Sequence, residues 1–390
     1  MSKPNSIKVG FVLSEIHLLG VRNYLRNLFA AINTLPGKPI DLVLFAGKNQ
    51  RDVLTDFPGV ELVQSSILDR KSAIWFTRKL LVKITGRDLL LQKLLQRNNV
   101  SVLSHSSHLG RQRAIKTIGW IADFQHQHLP EFYSLADRSE RDKTFTNVCD
   151  YCDAVFVSSE YARTDLRTHS PTNAHKAELL RFIASPLSQA SAASLSDLKN
   201  LYNFDSTYFL LPNQFWAHKN HRVVINALRI LKQRNQHLLV LATGLTRDHR
   251  DATYFPSLMK HAAECDVLDL FRVLGVIPYD HLIGLMKNAV AFINPSKFEG
   301  WSTTVEEAKT MGKQIILSDI PVHLEQAPDR GYFFPVDNPE ALADSMIAAL
   351  SCFEKREDDA MQERARFRHP ERMREYGETY RQVIMKIIKS

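Results

Sequence analysis

In the stretch "NPSKFEGWSTTVEEAKTMGK", the carboxylates Glu299 and Glu307 bracket seven residues that include a glycine, a tryptophan, a serine and two threonines. Thr303 followed three places on by Glu306 is a capping-box spacing, and Gly312 can end the helix that starts there. Glu299 then lies in the preceding loop and Glu307 about one turn into the helix. The two carboxylates flank a positive helix end and the free amides of Ser302, Thr303 and Thr304. Such amides suit a phosphate and carboxylates accept hydrogen bonds from hydroxyls, so the pattern suits a phosphorylated sugar. Alone it would also suit a capped surface helix. Lys219, in "LPNQFWAHKNHRVVINAL", adds a cation after a strand-like run. Asn220 is placed to cap a helix carrying Val223, Val224, Ala227, Leu228 and Leu231, and a lysine at that position can pair with phosphate.

These residues need a scaffold, and the order of runs supplies one. "IKVGFVLS", "IDLVLFAG", "VELVQSS", "VSVLSHSS", "TIGWIAD" and "AVFVSS" alternate with helix-length segments. After a Ser- and Ala-rich stretch, the series restarts with "STYFLLPNQ", "HLLVLATG", "FRVLGVI", "AVAFINPS", "KQIILSD" and "GYFFPV". Alternation of this kind predicts an α/β protein of two Rossmann-like, doubly wound parallel-sheet domains, with the ligand at the carboxyl ends of the strands in a cleft between them. The expected boundaries are 1–185, a linker at 186–203, and 204–370, followed by a helical tail at 371–390. No GxGxxG follows the first strand, where "SEIHLLGVRNYL" offers only Gly20, which disfavours a dehydrogenase.

Composition narrows the partners. A formal net charge of +8 over 390 residues implies an anionic partner: nucleic acid, phospholipid or a phosphorylated small molecule. The segment 70–88 gathers Arg70, Lys71, Arg78, Lys79, Lys83 and Arg87 against Asp88. As a helix it sets Ala73, Phe76, Leu80, Leu81 and Ile84 on one face and Arg78, Lys79 and Lys83 opposite. That is either a solvated helix covering a core or a membrane-surface patch. Cys149 and Cys152 form one CxxC, but Cys265 and Cys352 are isolated and supply no second ligand pair, so a zinc or redox site is disfavoured. No apolar run reaches the roughly 18 residues of a membrane span, and the first apolar run meets Glu15 too soon for a signal peptide; the expected location is the cytoplasm.

Across nearly all of the second half, the chain resembles the retaining nucleotide-sugar glycosyltransferases of family four, or "group one", which have the GT-B fold. The likeness rests on "LLPNQFWAHKNH", on "VLGVIPYDHLIGLMKNAVAFINPSKFEGWSTTVEEAKTMGKQIILSDIPVHLEQA" and on the helical tail. It is thinner in "LLGVRNYLRNLFAAI", "WIADFQHQHLPEFY" and "AVFVSSEYARTDL". The resemblance implies that Glu307 holds ribose hydroxyls, Glu299 contacts the donor sugar near the reacting carbon, and Lys219 binds the diphosphate. It places amides of Trp301, Ser302, Thr303 and Thr304 at the phosphate or sugar, the backbone at Val276 to Pro278 beside the base, and the Gly20 backbone near phosphates or acceptor. It implies a tail crossing back onto the first domain, and no metal or other cofactor.

The chain departs from that pattern in three places. Pro212-Asn213 stands where the family often has Gly-Arg, so one cationic phosphate contact is missing, with Gln214 or His218 as candidate substitutes. Leu19-Gly20 replaces a glycine pair. Ala122-Asp123 stands where a His-Asp is common, with His126 and His128 just beyond. His126 with Asp123 as partner is the expected relocated histidine site, the alternative being that both histidines are structural or bind the acceptor. The resulting expectation is a metal-independent retaining transferase acting on a glycan or lipid-linked glycan in bacterial surface polysaccharide synthesis, peripherally bound to an anionic membrane through 70–88 and binding no nucleic acid. A nucleotide-sugar epimerase or an inactive sugar-binding relative is the alternative.

Overall fold

The computed structural model describes residues 6–13, 19–50, 57, 59–105, 108–112, 114–185, 192–248 and 250–389. They form two compact units, 1–182 with 371–390, and 183–370.

In the first unit the described strands are β1 (Ile7–Val12), β2 (Ile40–Ala46), β3 (Glu61–Gln64), β4 (Val102–Ser104), β5 (Lys116–Ile121), β6 (Ala154–Val157) and β7 (Ala177–Leu179). They make one sheet in the order β3-β2-β1-β4-β5-β6-β7, every pairing parallel. The second unit holds β8 (Tyr208–Leu211), β9 (Leu239–Thr243), β10 (Phe271–Gly275), β11 (Phe292–Asn294), β12 (Ile315–Ser318) and β13 (Gly331–Phe334), in the order β10-β9-β8-β11-β12-β13. All of these pairings are parallel too. Parallel strands are joined by crossovers that cover both faces, which is why β8, β9 and β12 are buried throughout. In β8, Phe209 and Leu211 enter one core with Val224, Leu228 and Met346. Tyr208 and Leu210 enter another with Leu285, Val305 and Leu317. Both sheets reverse direction of winding once, between β1 and β4 and between β8 and β11. Each unit by itself is a Rossmann-like, doubly wound parallel sheet.

Local signals account for most helix ends. Helix His221–Gln233 buries Val223, Val224, Ala227, Leu228 and Leu231, the face its spacing predicts. The segment expected as linker is shorter than its composition suggests: Leu195–Tyr202 is a helix whose Leu198 is buried in the second unit's core. Residues 186–191 lie outside the described part. The helix Lys355–Lys389 carries Pro370 within it, and its later residues Tyr376, Tyr380 and Ile384 are buried in the first unit.

The helix Ala73–Thr85 corrects one expectation. Arg78, read as solvated, is buried against Asp88, whereas Phe76, Leu80 and Ile84, read as one face with Leu81, are exposed. An Arg–carboxylate fork, shielded from water, outweighs the apolar side chains in fixing which face turns inward.

Candidate functional site

In open α/β sheets, ligands bind beyond the carboxyl ends of the strands where the winding reverses. In the second unit that place lies beyond β8 and β11, and a connected polar belt fills it. Asn213, just after β8, donates from Nδ2 to Oδ1 of Asn294 (3.1 Å), the last residue of β11. Asn294 in turn donates to Ser302 Oγ at 2.7 Å, and Thr304 Oγ1 donates back to Asn213 Oδ1 at 3.2 Å. Ser296 Oγ lies 2.7 Å from both Asn294 Oδ1 and Glu299 Oε1, and its one proton serves one of them at a time. All four of Asn213, Asn294, Ser296 and Ser302 are buried, so each hydrogen bond stands in place of lost water. Gly244, at φ 132°, completes the floor: a Cβ there would stand 2.6 Å from the Asn213 carbonyl oxygen.

Beside this belt stands an ion pair between two of the expected site residues. Lys219, ending the short 3-10 turn Ala217–Lys219, donates to Glu299 Oε1 at 2.6 Å. Burial opposes ionisation of Glu299, but the Lys219 ammonium outweighs it and holds the carboxyl below its usual range. Asn220 occupies the N-cap position of helix His221–Gln233 but does not cap it. Its backbone is left-handed, at φ 56°, and its Nδ2 donates instead to Asp337 Oδ1 at 2.9 Å.

The helix Thr303–Met311 starts one residue earlier than its capping-box spacing suggests. Ser302 is the cap, accepting from the Val305 amide at 3.3 Å, and Glu306 is buried and hydrogen-bonded to Gln326. Gln326 also accepts the Ser302 amide at 3.1 Å and donates to the Ser302 carbonyl at 3.0 Å. The Ser302 amide, expected free, is therefore taken. Thr303 and Thr304 remain as first-turn amides with no intrahelical acceptor. Thr303 is exposed, while Trp301 and Thr304 are buried. Glu307 is a half-buried residue one turn into the helix, and among the described residues nothing hydrogen-bonds or ion-pairs to it. Burial without a partner pushes its carboxyl up to about 7.

The loop after β9 adds a residue that sequence reading missed. Arg250 donates through Nη2 to His218 Nδ1 at 3.2 Å, lies 5.2 Å from the Trp216 ring centre, and is braced by buried Asp248 at 3.2 Å. Burial lowers the His218 imidazole to about 3, so it stays neutral and can accept that bond. A second cation thus stands one residue from Lys219, although Pro212-Asn213 offers none. The run "TRDHRD" beyond β9 was the available signal. His218 holds this arginine, and Gln214 has no side-chain hydrogen bond among the described residues. At the end of β10, Pro278 is exposed between exposed Val276 and Tyr279, an uncovered apolar lip.

In the first unit the expected histidine pairing is not found. His126 is fully buried, and its Nε2 meets Asp142 Oδ1 at 3.0 Å, with Phe124 and Phe145 about its ring. Asp123 accepts from the Gln125 amide at 2.9 Å, holding the start of the short helix Gln125–His128. Sequence adjacency misled because Asp123 precedes the helix and is spent on the Gln125 amide, whereas His126 turns inward to Asp142. The partly exposed imidazole is His128: Nε2 lies 2.9 Å from Asp165 Oδ2 and Nδ1 lies 3.1 Å from the Tyr161 hydroxyl. Gly20 is exposed in the first turn of helix Leu19–Asn33, and a Cβ there would meet nothing within 4 Å, so packing within the structure does not demand glycine. Burial raises the Cys149 and Cys152 thiols to about 11 and about 12, which keeps both protonated. Among the described residues, no group of three or more His, Cys, Asp or Glu could hold a metal ion.

Comparison with known proteins fits this geometry. Residues 198–367 match the family described as Glycosyl transferases group 1. Over this segment the chain is similar to the group 1 glycosyltransferases. No curated protein matches the chain in sequence. Among solved structures, a glycosyltransferase from Rickettsia africae ESF-5 superposes with a TM-score of 0.69 at 14% identity, over 99% of this chain and 100% of that one. Sucrose-phosphate synthase from Thermosynechococcus elongatus gives 0.69 at 15%, over 97% and 100%. Anabaena HepE in complex with UDP and glucose gives 0.67 at 14%, over 98% and 100%. At such identities the likeness establishes the GT-B fold. The group 1 match spans Lys219, Glu299, Glu307 and Arg250.

Proposed function

We propose that the chain is a retaining, metal-independent glycosyltransferase that moves a sugar from a nucleoside diphosphate to a glycan or lipid-linked glycan. The supporting observation is Glu307, a half-buried carboxylate one turn into the helix that follows Glu299, with no hydrogen-bond or ion-pair partner among the described residues. Ribose hydroxyls are the donors it lacks. A diphosphate at the first-turn amides would compete with Glu299 for Lys219, releasing that carboxylate toward the sugar. As the anomeric carbon gains positive character and the diphosphate gains negative charge, fixed cations lower the barrier without reorganising during the reaction. His128, rather than His126, is the group to test on the acceptor side.

The HepE complex with UDP and glucose makes uridine the first base to try. The test is calorimetry with UDP, GDP, dTDP, ADP and CMP and their sugars, with EDTA present, followed by NMR of the product's anomeric configuration. Selective binding that is lost in Glu307→Gln supports the donor site, and a product with the donor's configuration supports retention. Inversion or a need for added metal refutes those parts. Binding without transfer to any acceptor would assign the chain to the inactive sugar-binding relatives. Nucleoside diphosphate sugars are cytoplasmic metabolites, so the enzyme's place on this reading is the cytoplasm, at the inner face of the membrane where lipid-linked acceptors are found.

A further inference from the structure

The helix Ala73–Thr85 is built with its apolar stripe facing away from the protein. Ser72 caps its start, accepting from the Trp75 amide at 3.1 Å, and Gly86 ends it at φ 66°. Its orientation is fixed from beneath. Arg78 Nε and Nη2 grip both carboxylate oxygens of Asp88 at 2.6–3.0 Å, and Asp88 itself caps the next helix, Leu89–Arg97. With Arg78 held inward, Phe76 is 58% exposed, Leu80 57% and Ile84 71%, and Ile74 adds 45%. Phe76, Leu80 and Ile84 recur every four residues and so form one continuous stripe. Single exposed apolar residues are ordinary, whereas three large ones stacked on consecutive turns are not.

Lys79 and Lys83 each precede a stripe residue by one position, which sets them about 100° to one side along its edge. Both are exposed, as are Arg70 and Lys71 where the chain enters the helix. From Arg70 to Arg87 the sequence contains no acidic residue. No helix of the described residues is long and apolar enough to cross a membrane, and this one, at 13 residues, could only lie along a surface.

We propose that this helix docks the protein on an anionic bilayer, its Phe76–Leu80–Ile84 stripe entering one leaflet while the lysine edge meets lipid phosphates. Charge decides the occupant. A second copy laid on the same face would bring two lysine rows into one interface with no carboxylate from either helix to meet them, whereas anionic headgroups supply the missing charge along the whole edge. The proposal deepens the functional reading by favouring a lipid-linked acceptor, but docking itself does not depend on catalysis.

The test is flotation of the full chain with vesicles of phosphatidylcholine alone and with equal parts of phosphatidylglycerol. Binding is expected to the anionic vesicles and to persist partly at high salt, because the stripe is inserted. Lys79→Gln with Lys83→Gln should lower low-salt binding by on the order of thirtyfold. Phe76→Ser with Leu80→Ser and Ile84→Ser should abolish the salt-resistant fraction. These side chains are exposed, so unchanged circular dichroism and unchanged nucleotide binding are expected controls, and they separate failure of docking from failure of the donor site. Equal binding to neutral vesicles, no binding, or variants that bind like the parent would overturn the proposal. So would a dimer that the serine variants dissociate while vesicle binding is absent.

Discussion

Glu307 carries a prediction of opposite sign for stability and for binding. Its carboxyl is raised by burial from 4.5 to about 7, and among the described residues nothing compensates the charge. The folded state therefore holds this proton over a pH range where the unfolded chain has released it. Stability is lost as pH rises from about 4.5 to about 7 and stays lost above that. A difference of 7 − 4.5 = 2.5 pH units corresponds, at about 1.36 kcal/mol each, to about 3 kcal/mol as an upper figure. Glu307→Gln keeps the shape and removes the charge. The variant should be more stable than the parent at pH 8 by a sizeable part of that figure, and equal to it near pH 4. Urea unfolding at both pH values, without nucleotide, measures this. In the same variant, nucleoside diphosphate should bind more weakly at pH 8. A variant less stable at pH 8, or a difference independent of pH, would refute the reading of an unpartnered carboxylate held for a ligand.

Lys219→Ala should weaken nucleotide binding and slow transfer, whereas Glu299→Ala should mainly slow transfer; titration and initial rates separate the two, and parental kinetics in both would remove these residues from the site. Arg250→Ala should raise the nucleoside diphosphate Kd by about tenfold, the loss of a charge-assisted contact, and should also lower thermal stability, because it strands the buried Asp248 carboxylate. In the second unit, Lys313 lies fully buried with Asp358 at 2.5 Å, and Arg330 reaches the other carboxylate oxygen at 2.9 Å. Asp358→Ala should cost about 3–5 kcal/mol in urea unfolding because it strands the buried ammonium, whereas Lys313→Met with Asp358→Leu should cost far less.

Sequence and structure agree where physics is local. Period-two and buried runs locate the strands, and the spacing of Val223, Val224, Ala227, Leu228 and Leu231 fixes the inward face of their helix, because each of these signals lies within a few residues. The match over residues 198–367 has a different basis: whole segments are similar to those of group 1. What was not legible depends on residues far apart in the chain. Gln326 claims the Ser302 amide from 24 residues away, and Arg250 reaches His218 from 32. The helix at 73–85 is legible as amphipathic, yet its pattern alone does not say which face turns outward. That choice belongs to Asp88, through one buried ion pair. His126 shows the converse error, in which a chemically suggestive type at a plausible spacing is turned inward by the aromatic rings around it.

The first unit is discontinuous, since residues 371–390 complete a core begun by residues 1–182. Tyr380 is fully buried, its ring centre 5.6 Å from Phe156 and 6.5 Å from Phe11. During synthesis this has a directional consequence. The ribosome makes the amino-terminal unit first, but that unit has an open seam until the distant helix segment emerges, while the continuous unit at 183–370 can close as soon as its own last strand and helices are made. The half that is translated first is thus the last to finish, and until then the Phe11 and Phe156 surfaces await Tyr380 and need protection from other chains.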